Sequence, residues 1–520
     1  MALHSAVFVA FLGAACFTVY LFPKKQRYVW ILVCNCAFYI WTCRGFPLQT
    51  PSFLVKLGLP DSLPACAPAM CLLGGTALCS WLCALGIQKS KPAALRVFFL
   101  CLNTAALAAL LAGCKYFGLL APFRLHVGGI VTEGNANGFT QIALPLGLSY
   151  YTLQAVAYGV DVFFKRAKAE TNPLRYAAFL TFFPGIVLGP TARAGQMLPQ
   201  LAQPAAFDYE TIAGGLFRIL WGFFKKVVLA DNIAVFTAYV FGATTANAGP
   251  VLLIALLLFI WQVYLDFSGC CDIAIGAAGM LGFVYPENFM RPFSATSFAG
   301  LWRRWLMSIG GFFRDCLYAP VAENPLAQKV PALRWPFGLV GGFLCFGALA
   351  AWHGLSLDWL WWGLATGLLF ALSGLLAPVW NTLAEKVPLY RKPKVRAAFQ
   401  RVFTFLLFAF TMAFFASALY QQPLFEWAPA LGQSWGVLAS GEFLPALWQA
   451  GLSGPHTPAL LLGSVLVIAV EHFAVGPDST VAGWIRAKRF YVRWPLYLML
   501  LAALVLFGVF PVTSGIYQSF

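Results

Sequence analysis

The chain has 520 residues, 61% of them hydrophobic and only 10% charged, with a net charge of +16. A soluble domain carries roughly a quarter charged residues, so this composition cannot cover a water-facing surface and excludes a soluble enzyme tethered by one anchor. The basic excess would suit a nucleic-acid binder, but it falls in short clusters between apolar runs, which excludes that class and points to a multi-pass α-helical membrane protein.

Taken in order, the plainest apolar runs are Leu3–Phe22, Ala69–Ile87, Val97–Leu120, Val251–Leu265, Phe399–Ala418, Ala459–Val470 and Pro495–Phe510. A helix needs about 20 mainly apolar residues to cross a bilayer. With the less regular middle of the chain included, the expectation is about 11 to 14 membrane segments. No long stretch alternates apolar and polar residues, which argues against a transmembrane barrel. The first run is read as a membrane helix and not as a cleaved signal, because its positive charge follows it. When the less regular apolar runs between the plainest ones are also counted, Lys24, Lys25 and Arg27 come after the first run, Lys89, Lys91 and Arg96 after the third, and Lys165, Arg166 and Lys168 after the fifth. Positive charge favours the cytoplasmic side, so the N-terminus is expected outside. Arg391, Lys392, Lys394 and Arg396 form a further cluster.

No composition break marks a soluble domain, so one membrane domain is expected over 1–520. The longest polar connections, Ala121–Gln141, Gln200–Tyr209, Glu323–Arg334, Asn381–Arg396 and Asp478–Arg493, are too short to hold a core of their own. The 14 cysteines lie mostly inside apolar runs without paired CxxC spacing, as small hydrophobes and not as a zinc site.

The chemistry concentrates between about Leu144 and Gly367, where polar residues interrupt aromatic-rich apolar sequence. Pro184, Gly185, Gly189 and Pro190 fall in one apolar stretch, so Phe179–Pro190 is expected to contain a break or re-entrant turn, the alternative being a kinked structural helix. Of the histidines, His4, His126 and His456 read as solvated, and His472, beside Glu471, as an interfacial helix end. His353, in Ala351-Trp352-His353-Gly354, sits among aromatics with little charge nearby. Desolvation disfavours its protonated form, which suits either a general base acting on a hydroxyl or an imidazole hydrogen-bonded to a neighbouring helix.

Three stretches in this order resemble the membrane-bound O-acyltransferase family, in particular its bacterial alginate O-acetylation and teichoic-acid D-alanylation branch. The first runs from Leu144-Pro145-Leu146-Gly147 through Tyr150-Tyr151 to Asp161-Val162, with Phe183-Pro184-Gly185 to Pro190 and Arg193 as its companion. The second is Tyr264-Leu265-Asp266-Phe267-Ser268-Gly269, then Asp272, Pro286-Glu287-Asn288-Phe289 and Arg291-Pro292-Phe293. The third is Trp302-Arg303-Arg304-Trp305, then Arg314-Asp315-Cys316-Leu317-Tyr318, followed by Trp352-His353-Gly354.

The resemblance implies an all-α polytopic fold, a ring of membrane helices around a central funnel. It implies an acyltransferase of a bacterial plasma membrane, taking acyl from a cytoplasmic thioester (acetyl-CoA or an acyl carrier) with no bound cofactor or metal. The acceptor would be a hydroxyl of an extracellular polysaccharide or cell-wall polymer, and an extracellular acetyltransferase partner would be compatible with it. His353 matches the family's catalytic histidine. The family's second histidine, after Arg-Trp, is Leu306 here, and a leucine can neither donate, accept nor titrate. Either His353 acts alone, or the chain is a silent scaffold or acyl-channel subunit, or Ser308 takes a polar role. Thr366 stands where the family often has another histidine. Asp266 is expected either to line a cavity or to cap an interfacial helix end. Ser268, Asp272, Glu287, Asn288, Trp302, Trp305, Asp315 and Trp352 are the other support candidates. Arg303, Arg304 and Arg314 suit donor or lipid phosphates, or snorkel. A transporter or flippase would require inverted repeats, and the sequence contains none.

Overall fold

The computed structural model describes residues 5–42, 47–49, 62–64, 66–116, 146–242, 249–452, 456–474 and 481–509. His4, His126, Leu144, Pro145 and the connection Ala121–Gln141 lie outside them. The described residues are almost entirely helical, apart from Pro47–Gln49 paired antiparallel with Ser62–Pro64. Two compact units divide the chain, one of Met1–Leu216 with Ala274–Pro286, the other of Phe217–Ile273 with Glu287–Phe520.

Among the described residues, seven helices are long and apolar enough to cross a membrane, and Leu357–Leu375 with Pro378–Lys386, bent by 51°, would make an eighth. That is fewer than the 11 to 14 segments read from the sequence, because helices such as Ala6–Leu21, Arg27–Thr42 and Leu148–Phe163 have 16 residues each. At 1.5 Å per residue such a helix is about 24 Å long, below a ~30 Å hydrocarbon core, so it crosses where the bilayer thins locally to meet it. The connections expected as loops also fold in part. Leu376–Lys386 and Pro325–Lys329 are helical, and the helix Pro331–His353 starts inside the same connection as Pro325–Lys329.

In the first unit, the interrupted stretch is a true break. The helix Pro173–Leu180 is capped by the Asn172 side chain, which accepts from the Leu174 and Arg175 amides, and Pro173 suits the first turn because its missing N–H is not needed there. The chain then makes one helical turn at Phe183–Ile186 and runs on, buried, towards Arg193. Buried Asn35, 1% exposed, stitches this break. Its amide nitrogen donates to Ala178 O at 3.1 Å and Thr181 Oγ1 at 3.0 Å, and its oxygen accepts the Phe183 amide at 3.0 Å. Backbone that leaves a helix at membrane depth needs such protein partners. Gly185 is required there, since a Cβ would lie 2.9 Å from Tyr285 Cζ.

The helix Tyr209–Phe223 runs into the second unit at Phe217 and continues through a π-helical turn, Phe224–Ala230, into Asp231–Gly242. It packs closely on the long helix Gly249–Met280, where a Cβ on Gly222 would come within 2.8 Å of Ile273 Cγ1. The helices Pro331–His353 and Leu357–Leu372 meet along another seam of small residues. A Cβ on Gly342 would lie 3.1 Å from Gly367 O, and one on Gly363 would lie 2.7 Å from Ala350 Cβ. Gly363 and Gly367 form the small-x-x-x-small spacing that lets membrane helices approach.

Candidate active site

His353 is the last residue of its helix, and Gly354 follows as the C-cap. The imidazole stacks on Trp359, with centroids 5.0 Å apart and rings 13° from parallel. Trp362 and Phe415 meet it edge-on at 5.5 and 5.6 Å, and Trp352 lies at 4.8 Å. Gly354 makes the stacking possible, because a Cβ there would come within 2.6 Å of Trp359 Nε1. The Ser356 hydroxyl accepts the Trp359 amide at 3.5 Å and starts the helix that carries both indoles. A half-buried histidine at a helix end, walled by aromatic rings, can present a ring nitrogen to a substrate entering beside it.

Trp302 joins this cluster through Trp362, at 6.2 Å, and through Phe346 and Phe408. Trp305, 4% exposed, packs against Tyr264, Phe289 and Phe408. Leu306 follows in the left-handed region, φ 44° and ψ 53°, at the start of the helix Met307–Phe313. Non-glycine residues are uncommon there, and histidine, asparagine and aspartate are several-fold enriched among them. The Asn288 carboxamide oxygen accepts the Ser308 amide at 2.9 Å, and its backbone oxygen accepts the Met307 amide at 2.9 Å. Asn288 therefore shapes the turn that presents Leu306.

A second group of expected residues gathers into a buried charge network. Arg218 Nε donates to Asp272 Oδ1 at 2.9 Å, and its two terminal nitrogens grip both oxygens of Glu287, one at 2.6 Å. Lys225 Nζ lies 2.6 Å from Asp272 Oδ2, 3.0 Å from Ser268 Oγ and 3.9 Å from Glu471 Oε1. Tyr264 donates to Glu471 at 2.6 Å. Lys226, 1% exposed, pairs with Asp231 at 2.6 Å and Asp266 at 2.9 Å. These pairs satisfy charges that would otherwise be very costly at membrane depth.

Two expectations change here. Asp266 lies inside the helix Gly249–Met280 and is 2% exposed, so it is an ion-paired interior carboxylate and not a helix cap. Glu471 belongs to the buried network and is not a simple interfacial end, although its neighbour His472 does face Arg291 at 3.2 Å on the exposed side. Arg314 is exposed and paired with its neighbour Asp315 at 2.8 Å, while Arg304 donates to Ser294 Oγ at 2.6 Å and Arg303 is exposed. Arg218, Lys225, Lys226, Asp231 and Tyr264 were not singled out as functional side chains. Their signal was cations inside the apolar stretch 217–230, with no acid nearby in the sequence until Asp231. Lys225 and Lys226 sit on the π-helical turn, and Arg314 and Asp315 on another, Arg314–Tyr318. Such turns are frequent at functional sites.

The peptidoglycan O-acetyltransferase of Helicobacter pylori is 29% identical to this chain over 393 residues, 69% of this chain and 67% of the relative. A probable alginate O-acetylase of Pseudomonas syringae pv. tomato is 30% identical over 62% of this chain, and the match spans only 57% of that relative. The teichoic acid D-alanyltransferase of Bacillus subtilis is 27% identical over 51% of this chain and 67% of its own length. The model of the membrane-bound O-acyltransferase family matches residues 163–420. That span omits the stretch ending at Asp161-Val162 but contains the charge network's Arg218, Asp272 and Glu287, the Leu306 turn and Trp352-His353-Gly354. The protein is an all-α, multi-pass membrane protein whose residues 163–420 form a domain of the membrane-bound O-acyltransferase family.

Proposed function

We propose that this protein is an acyltransferase that moves an acyl group, acetyl in the first instance, from a thioester donor to hydroxyls of a polysaccharide or wall polymer outside a bacterial plasma membrane. The observation that carries the reading is His353, held at a helix end among Trp352, Trp359, Trp362 and Phe415 within the family span. The acetylated and D-alanylated polymers in the relatives' names support the acceptor class. In this reading a ring nitrogen of His353 takes the acceptor hydroxyl's proton as the oxygen attacks the thioester carbonyl carbon. The tetrahedral oxyanion then collapses, the carbon–sulfur bond breaks, and the imidazolium returns the proton to the leaving thiolate. Acetyl-CoA and an acyl carrier are both suitable donors, and an extracellular acetyltransferase partner fits a polymeric acceptor.

A second reading is a silent scaffold or acyl-channel subunit, which the leucine at position 306 favours. Its left-handed backbone suits histidine better than leucine. The two readings separate in one experiment. Base-labile acetate on surface polymers is compared among cells expressing the parent chain, His353→Ala and Leu306→His at matched levels. Ester made by the parent and reduced at least ~100-fold in His353→Ala is expected for a general base. Ester made only by Leu306→His would establish the silent subunit instead, and equal ester in parent and His353→Ala would remove His353 from the chemistry.

A further inference from the structure

The helix Leu357–Leu372 places Trp362 and Thr366 one turn apart on its buried face, 2% and 0% exposed. Residues four apart on a helix share a face. Among the described residues, the indole nitrogen of Trp362 and the hydroxyl of Thr366 have no hydrogen-bond partner, and neither does the indole nitrogen of Trp302, whose ring meets Trp362 at 6.2 Å. Buried helical threonines elsewhere take either course: Thr152 donates to Leu148 O at 2.6 Å and Thr411 to Phe408 O at 2.9 Å, while Thr76 has no partner among the described residues. A buried donor left unsatisfied costs about 1–3 kcal/mol and needs an explanation. Here two of them, on Trp302 and Trp362, belong to one aromatic cluster that also packs against His353, and the third, on Thr366, lies one helical turn from Trp362.

We propose that the indole N–H groups of Trp302 and Trp362 are the donors that receive the carbonyl oxygen of the thioester and the oxyanion that forms from it. This rests on the reading of His353 as the base. The chemistry requires donors close to that base and shielded from water, because their effect is largest in a low-dielectric site. Indoles meet the requirement without adding charge. They donate and cannot accept, so they recognise an oxygen acceptor and transfer no proton. The bond changes are those of acyl transfer: the acceptor oxygen bonds to the carbonyl carbon, its proton passes to His353, and the carbon–sulfur bond breaks as the oxyanion collapses between the two indoles. Thr366 adds a third donor one turn further along the same face.

The test replaces Trp362, and separately Trp302, with benzothienylalanine in the full-length protein in membranes. This residue keeps the bicyclic shape and carries sulfur in place of N–H, so packing is preserved. Loss of an oxyanion donor is expected to lower kcat by about 100-fold, with KM changed far less. An unchanged kcat at both positions would overturn the proposal. An activity-independent reading uses the 15N-labelled indoles of the parent protein and S-acetonyl pantetheine, a ketone that offers the carbonyl but cannot transfer it. A downfield shift of the Trp362 indole N–H signal on titration is expected, and an unmoved signal at saturating ketone would overturn the proposal whether or not the membranes are active. A shifted indole in membranes that make no ester would refute the reaction assigned to His353 while leaving carbonyl recognition standing.

Discussion

Arg218 shows how much of the site one buried side chain can hold. It joins Asp272 to Glu287, whose sequence separations from it are 54 and 69 residues. Removing the guanidinium would strand Glu287 and leave Asp272 to Lys225 alone. Breaking a buried ion pair by deleting one partner costs roughly 3–5 kcal/mol, and the partial exposure of Glu287 puts the expected loss for Arg218→Met at the lower end. Thermal unfolding in detergent should show a clearly lowered midpoint for Arg218→Met. Adding Glu287→Gln to that variant should restore part of the loss, since the stranded charge is then gone. A double variant no more stable than the single one would mean that Glu287 contributes nothing through this pair. Sequence reading found Asp272 and Glu287 because they stand inside recognisable stretches. It missed Arg218, Lys225 and Lys226 because a cation in an apolar run reads the same whether it snorkels to the interface or points inward.

At the scale of elements, His353 is positioned by the fit of two helices more than by its own loop. The seam of Gly342, Gly363 and Gly367 brings the helix Pro331–His353 against Leu357–Leu372 and so sets Trp359 and Trp362 around the imidazole. Gly363→Val would drive side-chain atoms into Ala350 Cβ and Phe346 O. Overpacking of this kind costs about 1–3 kcal/mol, and acyl transfer should fall with it as the rings separate. Gly347, on the same helix as His353, has nothing among the described residues within 4 Å of its Cβ position. Gly347→Ala should leave activity intact and raise stability by about 0.5–1 kcal/mol through helix propensity. Equal effects of the two substitutions in unfolding and ester assays would show that the seam does not position the site. The break between Leu180 and Phe183 was legible in the sequence, because Pro184 and Gly185 cannot continue an ordinary helix. The Asn35 bonds that make the break tolerable were not legible, since they come from a helix 143 residues or more away in the chain.

At the scale of the whole molecule, the distribution of basic residues predicts topology. The clusters at Lys24–Arg27 and Lys89–Arg96 should face the cytoplasm, with the N-terminus outside. Alkaline phosphatase fused after residue 26 or residue 92 should therefore be inactive, and fused after residue 63 it should be active. The opposite pattern would invert the orientation and with it the side from which a thioester donor enters. Composition alone determined that the chain lives in a bilayer, because 10% charged residues cannot clothe 520 residues in water. Sequence order also marked the family and singled out His353, since the Trp-His-Gly step and the stretches before it are local features that survive without a structure. Tertiary structure alone decided which charges are partners, that Asp266 is a paired interior carboxylate, that Leu306 occupies a left-handed turn, and that buried indole donors surround the histidine. Those properties depend on contacts between helices far apart in the chain, and hydrophobic pattern fixes which segments are helices without fixing which faces meet.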